Sequence, residues 1–416
     1  MTIDPAWIED AIVGARPQAI AALLRHFRDL DLAEEAFQEA SLRALQNWPR
    51  NGAPRDPVAW LIFVARNSAV DQVRKGSRNE PLPDEDVLVD PQSTEARLVE
   101  TLDHADYRDD LLRLMFICCH PELPTTQQIA LSLRIVSGIP VARIARAFLV
   151  SESAMEQRIT RAKARIAAAD VPFEAPGAVE RAERLAPVAT MIYLLFNEGY
   201  SAGPADVEER LSLGEEAIRL ARLLLRVFPA EPELMGLLAL MLLQHSRLGA
   251  RFDTDGQLVL LEDQDRSLWD HGLIHEALAL IDKALRHRRT GPFLVQAAIA
   301  ALHARAARFA DTDWASIDQL YATLEQLQPS PVVTLNRAVV VSKLKGPGAA
   351  LEMLEPLAKP LDGYFYYYGV RGSLLRDVGR NAEAREAFER AIALANSPAE
   401  ATHIRQHLDA LARNLQ

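Results

Sequence analysis

Aromatic and β-branched runs are short throughout this chain, whereas alanine, leucine, arginine and glutamate recur at helical spacing. Those four residues are good helix formers, and apolar residues three and four apart mark one helix face after another. The pattern predicts an all-α fold. Up to about residue 75, Ile8, Ile12, Ile20, Leu23, Leu24 and Phe27 repeat in this way. A second helix carries Ala33, Ala36, Phe37 and Ala40 as its apolar stripe beside Glu34, Glu35 and Glu39, with Asp31 placed to cap it. Pro49 and the loop RNGAPRDP end that pattern, and Pro57 suits the first turn of a third helix.

Residues 76–106 combine proline and acid with little to bury, the composition of an acidic flexible linker. Helical patterning resumes over 107–170, and again from 171 to 416, where a period emerges. Ala338, Ala350, Leu354 and Leu357 recur 34 residues later as Gly372, Ala384, Phe388 and Ala391, and 34 residues earlier as Ala304, Ser316, Leu320 and Thr323. Small residues at that period suit helical hairpins that cross closely, as in tetratricopeptide (TPR) arrays. The stretch DGYFYYYG places a run of aromatics that serves either as packing between repeats or as an anchor for a peptide or regulatory protein.

Charge narrows the choice of partner. The chain carries 57 acidic against 46 basic residues, a formal charge of −11, which argues against a surface coated with nucleic acid. Between Arg113 and Ala169, however, eight basic residues face three acidic ones, a local +5. Any nucleic-acid contact is expected there. The two cysteines, Cys118 and Cys119, are adjacent and build no disulfide framework, no run is long enough to span a membrane, and the N-terminus lacks a signal-peptide pattern. Together these predict a cytoplasmic protein.

Inside the basic stretch, IPVARIARAFLVSESAMEQRITRAKARI reads as helix, turn, helix. Val141, Ile144, Ala145 and Phe148 pack the first helix, Leu149 and Val150 form the turn, and Ser151 or Ser153 caps the second. Met155, Ile159, Ala162 and Ile166 share one narrow face. Arg158, Arg161 and Arg165 then line a flank, while Gln157, Thr160 and Ala164 point away from the core. A helix entering the major groove needs that division: cations beside phosphates, short polar groups over base edges. A solvated amphipathic helix has the same pattern, so this segment alone leaves both readings open.

A second stripe lies in PVAWLIFVARNSAVDQVRK, where Trp60, Val64, Asn67, Asp71 and Arg74 fall on one face that begins apolar and ends polar and cationic. That end suits single-stranded DNA, with Asn67 on a base and Arg74 and Lys75 on phosphates. A buried helix whose polar groups satisfy neighbouring backbone is the alternative. Taken in order, DLAEEAFQEASLRAL, this helix, a linker and the helix-turn-helix resemble regions 2 and 4 of extracytoplasmic-function sigma factors of the sigma-70 family. MIYLLFNEGYSA, LEDQDRSLWD and TGPFLVQAAIAALHA resemble the TPR-like C-terminal extension of one subgroup.

The resemblance implies partners and roles. Asp31, Glu34, Glu35, Phe37, Gln38 and Glu39 would dock on the β′ clamp helices of the RNA polymerase core. Trp60, Asn67, Asp71, Arg74 and Lys75 would capture the −10 element of promoter DNA. Ser153, Gln157, Arg158, Thr160, Arg161, Lys163 and Arg165 would read the −35 duplex, with region 4 held by the β flap. Glu156 departs from the family pattern, in which many relatives carry a basic residue, and removes a phosphate contact. The implied function is promoter-specific initiation, tuned by the C-terminal domain. A helix-turn-helix regulator with a TPR sensor, or a TPR scaffold, are the alternatives.

No enzyme, cofactor or metal is expected. The pairs His271/His275 and His403/His407 have zinc-ligand spacing but no third ligand nearby, so surface histidines are expected. CCHPE closes an apolar helix and reads as buried packing. QDRSLWD reads as a structural ion pair of Asp265 and Arg266 beside a packed Trp269.

Overall fold

The computed structural model describes residues 5–77, 104–120, 122–148, 150–168, 178–200, 207–253, 258–395 and 398–413. Among them there is no strand, only an isolated bridge between Phe252 and Leu258. The chain divides into two compact units, Met1–Leu195 and Phe196–Gln416.

The first unit opens with α1 (Pro5–Phe27), α2 (Leu30–Asn51) and α3 (Pro57–Ser77), each packed against the other two. Of the expected stripes, Ile20, Leu23, Ala33, Phe37 and Ala40 are buried while Ile12 and Phe27 are half-buried, and Leu61 and Ala65 of α3, which the sequence pattern did not single out, complete the core. Trp48 joins it, with the Trp60 ring 5.3 Å and the Trp7 ring 6.0 Å away. Two expectations are corrected here. Asp29, not Asp31, caps α2, accepting from the Leu32 amide at 3.0 Å; Asp31 already lies in the first turn. Pro49 does not end α2. It sits in the last turn, and the helix stops at Gly52, whose φ of 95° suits glycine. Asp56 caps α3 through the Val58 and Ala59 amides.

Next come α4 (His104–Cys118), α5 (Thr125–Ile135), α6 (Val141–Ala147) and α7 (Glu152–Ala168). The linker expected over 76–106 falls almost wholly outside the described residues; its two ends are the helical termini of α3 and α4. Helix α4 packs on α1, and α5 and α6 both pack on α7. Cys118 and Cys119 are buried, as expected, and burial pushes the Cys119 thiol up to about 12.

Helix α8 (Ala178–Tyr200) spans the division between the units. In the second unit α9 (Val207–Val227), α10 (Pro232–His245), α11 (His271–Leu285), α12 (Pro292–Arg305), α13 (Trp314–Leu327), α14 (Pro331–Lys345), α15 (Pro347–Leu354), α16 (Phe365–Asp377), α17 (Asn381–Leu394) and α18 (Pro398–Arg413) each pack on the next. Helices α14 and α16 begin 34 residues apart, as do α15 and α17. The recurring positions are the core of these pairs: Ala338, Ala350, Leu354 and Leu357 in one, Ala384, Phe388 and Ala391 in the other. Gly372 is required by contact, because a Cβ there would lie 2.6 Å from the Phe388 ring. The earliest copy is out of register. Ile317 and Leu324 are buried on α13, whereas Ser316 and Leu320 are half-buried and Thr323 is exposed.

The aromatic run on α16 splits by helical phase. Phe365 and Tyr367 are buried, while Tyr366 is exposed and donates to Glu400, and Tyr368 donates to Asp362. The QDRSLWD expectation is half corrected. Trp269 is packed, but Arg266 does not pair with Asp265; it bonds the His303 and Ala306 carbonyls and lies over the Trp269 ring, while Asp265 caps a short turn through Ser267. His271 and His275 are exposed. His403 and His407 are half-buried instead, with Nε2 atoms 3.3 Å apart and His407 stacked on Phe388. No group of three or more His, Cys, Asp or Glu positioned to hold a metal occurs among the described residues.

Candidate nucleic-acid interface

Helix α7 carries most of the division its sequence foretold, with Ile166, expected on the buried face, only half-buried. Met155, Ile159 and Ala162 are buried against α5 and α6, and Ser151 starts the helix by accepting from the Ala154 amide at 3.3 Å. Ser153 stays exposed and does not cap. Gln157, Thr160, Arg161 and Arg165 are exposed, Arg158 is half-buried, and Arg165 reaches the Glu122 carbonyl at 3.2 Å. The preceding α6 is fixed by buried Ile144 and Ala145, while Leu149 of the turn lies outside the described residues. The exposed face of α7 therefore has polar groups at its centre and guanidinium groups along one flank, a layout that suits a duplex groove.

On α3, Trp60 is half-buried and packs its edge on Trp48, and Asn67 is exposed. Asp71, Arg74 and Lys75 continue the same helix, but their side chains lie outside the described residues. The unbroken run of α3 to Ser77 keeps Trp60, Asn67, Asp71 and Arg74 at the spacing of one stripe, with Lys75 next to Arg74 in sequence.

The acidic set on α2 divides. Glu35 and Gln38 are exposed, Asp31 and Glu39 stand at the surface, and Glu39 pairs with Arg43 at 3.0 Å. Phe37 is buried beneath the Arg16 guanidinium, 5.2 Å from its ring centre, so it shapes the helix from inside and touches no partner from this position. Glu34 is buried as well, and its neighbours are unexpected. Arg16 Nη2 lies 3.2 Å and Arg134 Nη2 2.9 Å from Oε1, and Lys163 Nζ lies 3.0 Å from Oε2. Lys163 also bonds Asp31 at 2.5 Å. One carboxylate of α2 is thus surrounded by cations from α1, α5 and α7.

Arg16 and Arg134 escaped the sequence reading. The signal was an arginine set among alanine and isoleucine on the face of α1 that must be buried. Arg16 also donates through Nε to the Ile135 carbonyl at 3.1 Å and through Nη2 to the Arg134 carbonyl at 3.1 Å. Burial lowers its pKa, opposed by the Glu34 charge. For Lys163, burial acts downward but the bond to Asp31 and the Glu34 charge outweigh it, and its pKa is raised.

Comparison with known proteins agrees with the two blocks. Sigma-70 region 2 matches residues 12–79, Sigma-70 region 4 matches 113–166, and a family of unknown function (DUF6596) matches 184–285. An uncharacterized protein of Rhizobium meliloti (strain 1021) is 67% identical over 411 residues, covering 98% of this chain and 97% of that protein. A three-helix region 2 followed by a region 4 helix-turn-helix defines a transcription initiation factor that binds DNA and works through RNA polymerase. The chain belongs to the sigma-70 family of sigma factors, with a helical C-terminal domain appended. No described helix is long and apolar enough to cross a membrane.

Proposed function

We propose that the chain is a sigma factor of the extracytoplasmic-function type, which selects promoters for RNA polymerase and is tuned by a TPR-like C-terminal domain. The observation that carries this reading is the exposed face of α7, Gln157 and Thr160 beside the flank of Arg158, Arg161 and Arg165, in a chain that also carries region 2. In this reading α7 reads the −35 duplex, Asn67 and the cationic end of α3 hold the melted −10 strand, and the exposed acids of α2 meet the β′ clamp. The sigma factor is then no catalyst. Opening DNA costs on the order of 1.4 kcal/mol per stacked step, and capture of a base returns about 1–3 kcal/mol. Favouring one sequence by a few such contacts is enough to choose a start site.

The 34-residue recurrence of α14/α15 and α16/α17 supports a TPR-like domain. Its role would be to modulate initiation, in cis or through a bound peptide or protein. Reconstituted transcription with core polymerase tests the whole reading. Arg161→Ala is expected to lose about 1–3 kcal/mol of promoter discrimination if the side chain meets a base, and to lessen only the salt dependence if it meets a phosphate. Full discrimination with an unaltered salt slope would remove α7 from the interface. Binding of a duplex operator without polymerase would favour a conventional regulator.

A further inference from the structure

Ser246 and Asp270, at the facing ends of α10 and α11, are joined by a backbone hydrogen bond of 2.8 Å. The chain between them carries three arginines that line up with two aromatic rings. The Arg251 guanidinium lies 3.7 Å from the centre of the Tyr200 ring. Arg247 donates to the Tyr200 hydroxyl at 3.1 Å and lies 6.0 Å from the centre of the Trp269 ring, and Arg266 lies 4.8 Å from that same centre. Ring faces hold guanidinium groups in place but neutralise none of their charge.

No acid of the chain neutralises it either. Elsewhere in the second unit Arg222 faces Glu276, Arg337 faces Asp318 and Glu325, and Arg380 faces Glu383. Among the described residues, Arg247, Arg251 and Arg266 form no ion pair. Asp311, whose charge reaches Arg266, is held by Arg308 at 2.9 Å, and Asp265 accepts from the Ser267 amide at 2.9 Å. Burial and the charge of Arg247 lower the pKa of both Arg251 and Arg266. Three more polar atoms of the cluster, Arg266 Nη2, Trp269 Nε1 and His303 Nδ1, are buried with no hydrogen-bond partner among the described residues. Buried charges are ordinarily paired and buried donors ordinarily satisfied, so this cluster lacks an anion.

We propose that Arg247, Arg251 and Arg266 form a binding site for a small oxyanion of the phosphate or carboxylate class. Guanidinium groups take such oxygens in paired, charge-assisted hydrogen bonds. Nucleic acid does not fit the same place. Trp269 is 4% exposed and lies against two guanidinium groups, and the Tyr200 ring is stacked on Phe196 at 5.6 Å besides Arg251, so neither ring offers a face to a base. The unpartnered atoms are covered in this state, and the half-buried Arg247 and Arg251 make the first contacts of an entering anion. All three arginines fall within 184–285, the stretch matched by the family of unknown function. The site needs no part of the promoter reading.

Titration calorimetry of the full chain with inorganic phosphate, and separately with citrate, tests it without polymerase. One of the two should bind saturably at a single site, and chloride at matched ionic strength should not. Arg247→Gln and Arg251→Gln should each weaken that binding by about ten-fold or more, since each removes a charge-assisted bond. Arg286→Gln, at an exposed arginine outside the cluster, should bind as the unaltered chain does. Should either cluster variant fail to fold, hydrogen exchange of the unaltered chain decides: the binding anion should slow exchange in peptides covering Arg247, Arg251 and Arg266 relative to chloride. No saturable binding of phosphate or citrate would overturn the proposal, as would binding that persists in both cluster variants or an exchange pattern that does not change there. Saturable binding of hexaglutamate alone would overturn the small ligand in favour of an acidic peptide.

Discussion

Alanine at Gly236 would carry its methyl group to 2.5 Å from the Leu294 backbone nitrogen, 2.6 Å from its Cα and 2.9 Å from the Phe293 carbonyl carbon. The glycine lies at the middle of α10, where that helix meets the first turn of α12. No flexible side chain is there to move aside, so the start of α12 must retreat by nearly an ångström to restore van der Waals contact. That turn is capped from α10 itself. Glu233 accepts from the Phe293 amide at 3.0 Å and from the Leu294 amide at 3.1 Å, and its carboxylate fills the space where Gly291 has no Cβ. A retreat of that size pulls both amides out of hydrogen-bond range. Overpacking costs about 1–3 kcal/mol and weakening bonds to a charged acceptor about 1.5–3 kcal/mol, against a gain of about 1 kcal/mol for alanine over glycine in a helix. The second unit should therefore lose about 2 kcal/mol, since partial relaxation shares the first two costs. For a unit of this size that is a fall of roughly 4–8 °C in Tm. Calorimetry of the full chain, with peptide-resolved hydrogen exchange over 291–298, reads both effects. Gly348→Ala, where nothing lies within 4 Å, is the control and should be neutral or stabilising by up to about 1 kcal/mol. If Gly236→Ala melted at or above the unaltered chain with unaltered exchange at 291–298, the account of the α10–α12 contact would be wrong.

Two further outcomes follow from the same structure. Asn67 is exposed on α3, so Asn67→Ala should leave the melting temperature unchanged while open-complex formation with core polymerase falls about 5- to 150-fold, the equivalent of about 1–3 kcal/mol; an unchanged yield of open complex would remove Asn67 from base capture. His303 is kept neutral by burial and by the charges of Arg247 and Arg266, which together lower its pKa to about 4. The unfolded chain binds that proton near pH 6.5, so the contribution is complete above about 6.5 and is lost as pH falls toward 4, at most roughly 3 kcal/mol. Urea midpoints at pH 7 and pH 5 should converge in His303→Gln relative to the unaltered chain; an undiminished pH slope would assign the effect elsewhere, such as the half-buried His407.

What could be read from the sequence was what depends on one helix and its own period. Met155, Ile159 and Ala162 form a narrow stripe, and once that stripe is core the positions of Gln157, Thr160 and Arg161 follow without further information. The repeats at Ala350 and Ala384 were legible for a similar reason: close helix crossings admit only small residues. The misreadings arose where distant segments meet. Asp29 and Asp31 are both able to start α2, and only the backbone conformation at Asp29 decides between them. Arg266 lies next to Asp265 in sequence but finds carbonyls nearly forty residues away. Glu34, classed by composition with its exposed neighbours Glu35 and Glu39, is buried because Arg134 and Lys163 come to it over a hundred residues of chain. A charge pattern along a helix does not say which charges are paired.

That pairing changes how the two interfaces relate. Lys163 Nζ is held by both Asp31 and Glu34, so in this arrangement its ammonium group is engaged by α2. Under the proposed function, the phosphate contacts of α7 would then fall to Arg158, Arg161 and Arg165, and Lys163 would reach a phosphate only after leaving those two carboxylates. Surface ion pairs are individually weak, but Glu34 is buried among three cations, and removing one partner of a buried pair is costly. The positive charge that the sequence of α7 offers to DNA is therefore smaller than a count of its basic residues implies.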